Sequence, residues 1–504
     1  MQTVQCEFFY NDAVILHTSH TGHRQGVFVL VVWLLRRSRN LPPGPTGLPI
    51  IGYLPKLALQ GDEYKSLALL ANTYGDVFSL NLGGQLVVVL NSYEAIKKAL
   101  AHPNTSDRPP TTFFIKATPD KDALGVASAS GQSWTEQRKF SLKVLKGLGV
   151  GKSSFEDAIA DEARYLIGEM KNHNQKPLNP TTLVGNAVSN VICSVTLGKR
   201  FEYSDGKFQE LLRMINRNFE LVGGGSMYQY VPFMQYLTFT PTFKELRSNV
   251  HKIVGFLNEN VDEHRQNLDP DNPRDFTDVF LGEIQSNEGN NIKSHFSPSN
   301  MLLTVFEIFV GGTETTTSTL RWALLYMLAH PEVQSKVQRE MDEVVGRNRL
   351  PRIADKPELP YTEATIMEVQ RIASVGALGV PHMFSQDTSI FGYDMPRNTI
   401  LIANLWAVSR DPNLWPEPEK FRPERFLDGD GKVRRPEEHL PFSTGRRVCL
   451  GEQLAKMELF IFFSFLLHQF TFKKPEDAPP ISLKAVNGLT LTPTPFEICA
   501  VLRE

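Results

Sequence analysis

The chain is poor in cysteine. Its four cysteines among 504 residues, at positions 6, 193, 449 and 499, lie too far apart for a disulfide scaffold or a clustered zinc site. That sparseness fits a reducing, cytosol-facing compartment. A strong charge of either sign is also missing: 53 Lys and Arg against 55 Asp and Glu leave a net charge of -2, which gives no support for nucleic-acid binding. Low-complexity tracts and internal repeats are absent, and the 41% hydrophobic and 21% charged content is that of a folded globular protein. Near the N terminus a long hydrophobic run is lacking too. Val27 to Leu35 is wholly apolar, but nine residues fall short of the about 20 that an ordinary spanning helix needs.

Basic residues close that run. Arg36, Arg37 and Arg39 stand where the cytoplasmic side of an anchor carries positive charge. Leu41 to Pro49, with four prolines, is a stiff helix-breaking segment that reads as a hinge between anchor and body. The rival reading, a cleaved signal peptide, lacks a small-residue cleavage site before the basic cluster. The chain therefore divides into an atypical leader with a short membrane-anchor candidate at 1–40, a proline-rich hinge at 41–52, and a catalytic body at 53–504.

Within the body, Phe78, Leu80 and Leu82 alternate with polar residues, and Gly83-Gly84 precedes Leu86 to Leu90, which predicts a β-hairpin. Helical character dominates elsewhere: 132–148, 157–172, 182–197, 208–221, 243–266 and 298–329, with strand-rich stretches at 389–404 and 489–502. The balance predicts one large, mainly α body with small β-sheets.

One loop concentrates the chemistry. In Pro441 to Glu452, Cys449 is preceded by Phe442, Gly445 and Arg447 and followed by Gly451. A lone cysteine is ordinarily a buried structural thiol. Here Gly445 and Gly451 permit the turn that a metal-bound thiolate needs, and the apolar helical run from Leu454 puts the sulfur near a helix N-terminus. Arg447 can pair with a haem propionate, and Phe442 can cover the proximal face. The spacing F-x-x-G-x-R-x-C-x-G resembles the haem-binding signature of the cytochrome P450 superfamily.

Other motifs join it. Gly311-Gly312-Thr313-Glu314-Thr315-Thr316 sets polar residues in an otherwise apolar helix, a placement that costs stability and calls for a function. An acid beside a hydroxyl can hold water and relay protons during oxygen activation, so Glu314 and Thr315 are the candidate catalytic pair, and the stretch resembles the oxygen-binding motif of monooxygenating members. Glu368 and Arg371 form E-x-x-R on one helical face; by the resemblance Arg425, in Pro423-Glu424-Arg425-Phe426, packs on them to make a buried structural network. Trp134 and Arg138, four residues apart, can converge on one propionate, and Arg108 and His382 match further propionate contacts in the animal microsomal branch. Lys139, Lys143 and Lys146 make a basic stripe on the Trp134 helix, suited to an acidic electron donor.

From Leu41 onward the chain resembles the animal drug- and steroid-metabolising microsomal group, often called family two. The resemblance implies the cytochrome P450 fold, haem b held by Cys449, and insertion of one oxygen atom from O2 into a steroid, fatty acid or xenobiotic. It also implies electrons from NADPH through NADPH-cytochrome P450 reductase, cytochrome b5 as a further partner, and the cytoplasmic face of the endoplasmic reticulum membrane. By the same resemblance 110–129, 213–222, 305–313, 374–380 and 485–489 line the substrate pocket. A haem-thiolate peroxide isomerase and a non-catalytic haem or lipid carrier are the alternatives.

Overall fold

Thr240-Pro241, Ser297-Pro298 and Asn179-Pro180 each start a long helix in the computed structural model, which describes residues 40–49, 51–110, 124–152, 155–223, 239–292 and 294–504. In all three the polar side chain accepts a backbone N–H of the first turn, and proline fills the position whose N–H would have no partner. The chain separates into the units Met1–Leu41 and Pro42–Glu504. The apolar run at 27–35 lies outside the described residues, and no described helix is long and apolar enough to cross a membrane.

The second unit begins with α1 (Leu54–Gln60) and α2 (Glu63–Tyr74), then the hairpin β1 (Val77–Leu82) and β2 (Gln85–Leu90), α3 (Tyr93–Ala101) and α4 (Gly131–Gly147). Next come α5 (Glu156–Asn172), α6 (Pro180–Leu197), α7 (Gly206–Gly223), α8 (Pro241–Gln266), α9 (Phe276–Gly289) and α10 (Pro298–Ala329). α11 (Pro331–Val344) and α12 (Pro360–Ala373) lead into β3 (His382–Met383), β4 (Thr388–Ile390), β5 (Tyr393–Met395), β6 (Ile400–Ala403) and α13 (Leu405–Arg410). Finally α14 (Glu452–Gln469) and β7 (Phe470–Lys473) precede β8 (Ala485–Val486), β9 (Thr492–Pro493) and β10 (Cys499–Leu502). A mainly helical body with small sheets is thus what the sequence leads one to expect, with helix ends displaced by at most two residues and 298–329 matched at both ends.

The largest sheet has the order β1-β2-β6-β3, with β2 and β6 parallel and the other pairs antiparallel. Phe78, Leu80 and Leu82 point inward on β1, and Gly83 and Gly84, both at positive φ, turn the chain into β2. The segment expected to act as a hinge is instead docked on this sheet. Ser79 donates its N–H to the Pro43 carbonyl (2.8 Å) and its hydroxyl to that of Pro42 (2.7 Å), while a side chain on Gly44 would overlap Ser79. Proline stiffness here serves docking.

The main core gathers around α10, which packs along α6 and against α12 and α14. Its polar run Gly311 to Thr316 does not break the helix. Thr315 and Thr319 donate back to the carbonyls of Gly311 and Thr315 (both 2.8 Å), so these two hydroxyls are satisfied within the helix, while that of Thr313 is buried without a partner among the described residues. Gly312 is needed for contact: a Cβ there would collide with Ile192 of α6.

Candidate active site

Between α13 and α14 the chain runs through short turns, and one of them, a 3-10 turn at Gly445–Arg447, carries the Cys449 loop. Gly445 has φ +77°, and a Cβ on it would overlap the Leu100 carbonyl at the end of α3, so both conformation and approach demand glycine. Cys449 N–H donates to the Phe442 carbonyl (3.0 Å) and Val448 N–H to that of Gly445 (3.2 Å), closing the loop around the sulfur. Gly451 differs from expectation. Its φ is -92° and its Cβ direction is open, so no backbone strain calls for glycine; it caps α14 and turns its N–H toward the Cys449 sulfur.

Cys449 keeps exposed surface, yet the atoms crowded round it push its thiol up, opposed by the Gly451 N–H and the Arg138 guanidinium. Such a sulfur sits at the floor of a recess. The helix terminus alone does not make it a thiolate; a coordinated metal ion does that outright. Phe442 is half-buried beside it, its ring under Lys456 Nζ at 5.6 Å.

The propionate candidates converge from four elements. Arg447 is 7% exposed, with its guanidinium 4.0 Å from the Trp134 ring centre. It donates to the carbonyls of Ser106 (2.7 Å), Val126 (3.4 Å), Ala127 (3.3 Å) and Ala129, all neutral acceptors. Burial and then the nearby Arg108 and Arg138 push it down to about 8. An arginine does not in practice lose its proton, so the shift marks a buried cation held by neutral carbonyls, with Asp107 and Glu307 acting on it only from a distance. Arg138, from α4, reaches the Val448 carbonyl (2.6 Å), and Arg108 reaches those of Val380 (2.8 Å) and Pro381 (2.9 Å). Trp134 Nε1 is buried with no partner. His382 on β3 bonds the Thr105 carbonyl through Nδ1 (2.8 Å), and burial followed by Arg108 holds it neutral, well below the usual range. Three arginines and an orphan indole N–H fit a group bearing two carboxylates, and haem is such a group.

Helix phase separates the catalytic candidates. Thr315 lies on the exposed face of α10. Glu314, one residue and about 100° away, is buried, accepting from Ser318 (2.8 Å) and Thr490 (3.5 Å), with its carboxyl pushed up by burial. The structure does not bring their side chains into a bond. Glu368, Arg371 and Arg425 do meet: Arg371 Nε and Nη2 donate to the two Glu368 oxygens (2.7 and 2.8 Å), and Arg425 Nε donates to one of them (3.0 Å).

Of the candidate pocket stretches, 111–123 lies outside the described residues. Others meet: Leu489 N–H donates to the Phe219 carbonyl (3.1 Å) and Leu491 N–H to that of Val375 (2.9 Å). Arg213, in contrast, is 77% exposed and points to Glu210. A recess of about 630 Å3 between α6, α7 and α10 reaches Thr313 and Thr317, away from the Thr315 face.

Sequence reasoning passed over two acids. Glu307 on α10 accepts from the N–H groups of Val126 (2.6 Å), Ala127 (2.7 Å) and Ser128 (3.1 Å) and from the Ser128 hydroxyl (2.8 Å), so it ties down the chain that also holds Arg447. Glu458 on α14 is 1% exposed. A single charge inside an apolar run, Phe306-Glu307-Ile308 or Met457-Glu458-Leu459, is the signal that marks both.

Comparison with known proteins agrees with this geometry. The cytochrome P450 family model matches residues 42–500. Cytochrome P450 2U1 of Homo sapiens is 41% identical over 494 residues, covering 92% of this chain and 90% of that protein. Cytochrome P450 2J2 of Homo sapiens is 40% identical over 473 residues, 92% of each, and cytochrome P450 2J5 of Mus musculus is 40% identical over 484 residues, 95% and 94%.

Proposed function

The chain belongs to the cytochrome P450 family, as a haem monooxygenase of the animal family-two-like group, and from that premise we propose its substrate class, electron source and site roles. One atom of O2 enters a lipophilic small molecule, a steroid, fatty acid or xenobiotic, as a hydroxyl, and the other leaves as water. NADPH supplies two electrons through NADPH-cytochrome P450 reductase, with cytochrome b5 as a further donor.

The observation that carries this reading is the buried Arg447 cation beside the unpartnered Trp134 N–H, next to the Cys449 loop. Arg447, Arg108, Arg138, Trp134 and His382 hold the carboxylates of haem b, His382 donating once an anion beside it favours its protonation. Cys449 would bind the haem iron through its sulfur, with Gly445 and Gly451 shaping its turn and Phe442 shielding the sulfur from water. Bound there, the haem supplies oxygen activation, which a thiolate ligand favours by pushing electron density toward O–O cleavage.

Thr315 presents the last proton carrier. Its hydroxyl is anchored on the Gly311 carbonyl and keeps its lone pairs free to accept a proton from solvent and pass one on. Burial pushes the Glu314 carboxyl up, toward its protonated form, and because no hydrogen bond joins the two side chains, transfer between them passes through solvent. The converging apolar stretches around Phe219, Val375 and Leu489 favour a lipophilic substrate. Exposed Lys139, Lys143 and Lys146 on α4 suit an acidic donor protein. Residues 1–40 attach the body, which includes 41–52 and the catalytic domain 53–504, to the cytoplasmic face of the endoplasmic reticulum membrane.

Two variants test the site. Cys449→Ala should lose the red-shifted Soret band of the ferrous carbonyl complex; retention of that band refutes the ligand. Thr315→Ala should keep the band but release more peroxide per NADPH, and an unchanged product yield per NADPH refutes its proton role.

A further inference from the structure

Residues 487–491 turn the chain from β8 into β9, strands of two residues each. So short a hairpin does not fix its own turn. Other elements hold it. Leu489 N–H donates to the Phe219 carbonyl of α7 (3.1 Å), and Leu491 N–H to that of Val375, just past α12 (2.9 Å). The Leu491 carbonyl accepts from Trp322 Nε1 of α10 (2.9 Å), and the Pro493 carbonyl from Arg321 Nη2 of the same helix (3.2 Å). Trp322 is 2% exposed, and its bond to Leu491 is buried. Without that donor the Leu491 carbonyl would be a buried acceptor with no partner, a costly state that a shift of the turn relieves.

The tip of this hairpin stands beside the site. Val486 and Leu489 leave apolar side chains uncovered, each 38% exposed, and Thr490 donates to Glu314 (3.5 Å), the residue before Thr315. Trp322 follows Thr315 by seven residues, two turns along the same helix. We propose that Trp322, through its indole N–H on the Leu491 carbonyl, holds the β8–β9 tip against α10 and so sets where the side chains of Val486 and Leu489 stand toward the substrate. Trp322 is a positioning residue for substrate selection and acts through the turn. The inference rests on the reading that 213–222, 374–380 and 485–489 border a lipophilic substrate.

The test uses the full-length, haem-loaded protein and two probes whose imidazole nitrogen shifts the ferric Soret band on binding. Imidazole itself reports access to the iron, and 1-octylimidazole adds a chain that must lie along the apolar wall. The ratio of the two dissociation constants cancels changes at the iron, and the thermal midpoint is read beside it. Trp322→Phe keeps an aromatic ring without the N–H, whereas Trp322→His gives up the larger ring but keeps a ring N–H at the place of Nε1. Trp322→Phe should change the ratio about threefold or more, on the scale of one lost hydrogen bond. Trp322→His should keep the parent's ratio although it melts lower than Trp322→Phe, because it gives up more buried apolar surface. Ile159→Ala, a cavity in the core face of α5, should lower the midpoint and leave the ratio unchanged.

A merely structural role makes the ratio follow the midpoint, with Trp322→His further from the parent than Trp322→Phe. That order, or a parent-like ratio in Trp322→Phe, would overturn the proposal. If Trp322→His fails to load haem, Trp322→Phe against Ile159→Ala decides: a changed ratio in the first alone supports the donation, and equal ratios overturn it. Should 1-octylimidazole bind the parent no more tightly than imidazole, the apolar-wall reading falls and this inference with it. Tighter binding to the parent beside an unchanged ratio in Trp322→Phe overturns this inference only.

Discussion

Glu368 collects four N–H donors: Arg371 Nε and Nη2, Arg425 Nε at 3.0 Å, and the backbone N–H of Arg422 at 2.9 Å. The side chains of Glu368 and Arg371 are both 0% exposed, and that of Arg425 is 4%. Truncation to Ala would leave two guanidiniums in a dry interior with their shared anion gone. One-sided removal from a buried pair costs about 3–5 kcal/mol, against a total stability of about 5–15 kcal/mol for a domain. Glu368→Ala should therefore bring the urea midpoint down by a large fraction, with the ferrous carbonyl band and far-ultraviolet circular dichroism falling together. Glu437→Ala is the control: it breaks a pair with Lys97 whose side chains are 51% and 74% exposed, and it should leave the midpoint in place. Replacing Glu368 and Arg371 together by Leu should recover part of the loss, because no charge of that pair then stays behind. A midpoint for Glu368→Ala equal to that of Glu437→Ala would refute the buried-network reasoning, and paired leucines no better than the single Ala would refute its electrostatic origin.

Gly445→Ala should cut haem content several-fold, since it forces a side chain into a left-handed conformation costing about 1–2 kcal/mol and onto the Leu100 carbonyl; normal loading by the ferrous carbonyl assay would contradict this. His439 is pushed down from 6.5 to about 3 by burial and then by Arg371, so the folded state binds fewer protons than the unfolded. Its contribution is present above the unfolded value and is lost as pH falls from about 6.5 toward about 3. His439→Phe, which suits the rings of Trp415 and Phe426, should flatten the acid limb of a midpoint-against-pH curve; an unaltered limb assigns the acid sensitivity elsewhere. Reversal of Lys139, Lys143 and Lys146 to Glu should slow reductase-driven turnover most at low ionic strength and spare peroxide-driven turnover, whereas equal loss in both would mean damage to folding.

How much of this was legible in the sequence depended on how far apart the cooperating atoms lie along the chain. The Cys449 loop was readable because its turn, its cap and its sulfur fall within one short segment, and the β1–β2 hairpin because Gly83-Gly84 joins its two patterned strands. The docking of Pro42, Pro43, Ile51 and Gly52 was hidden, since what holds them is Ser79, Leu82 and Gly83, residues that nothing in the proline run specifies. Glu314 and Thr315 show a different failure: adjacency in sequence suggested a pair, although the period of a helix alone turns neighbours about 100° apart. Glu307 was visible as a lone acid in an apolar run, but its meaning came from the chain at 126–128, brought to it only by folding. Folding thus supplies what local pattern cannot: the partner that turns a costly buried carboxyl into a strap over the Arg447 pocket. Glu307 stands on α10, so the helix that presents Thr315 also carries the acid that ties down the chain to which Arg447 donates.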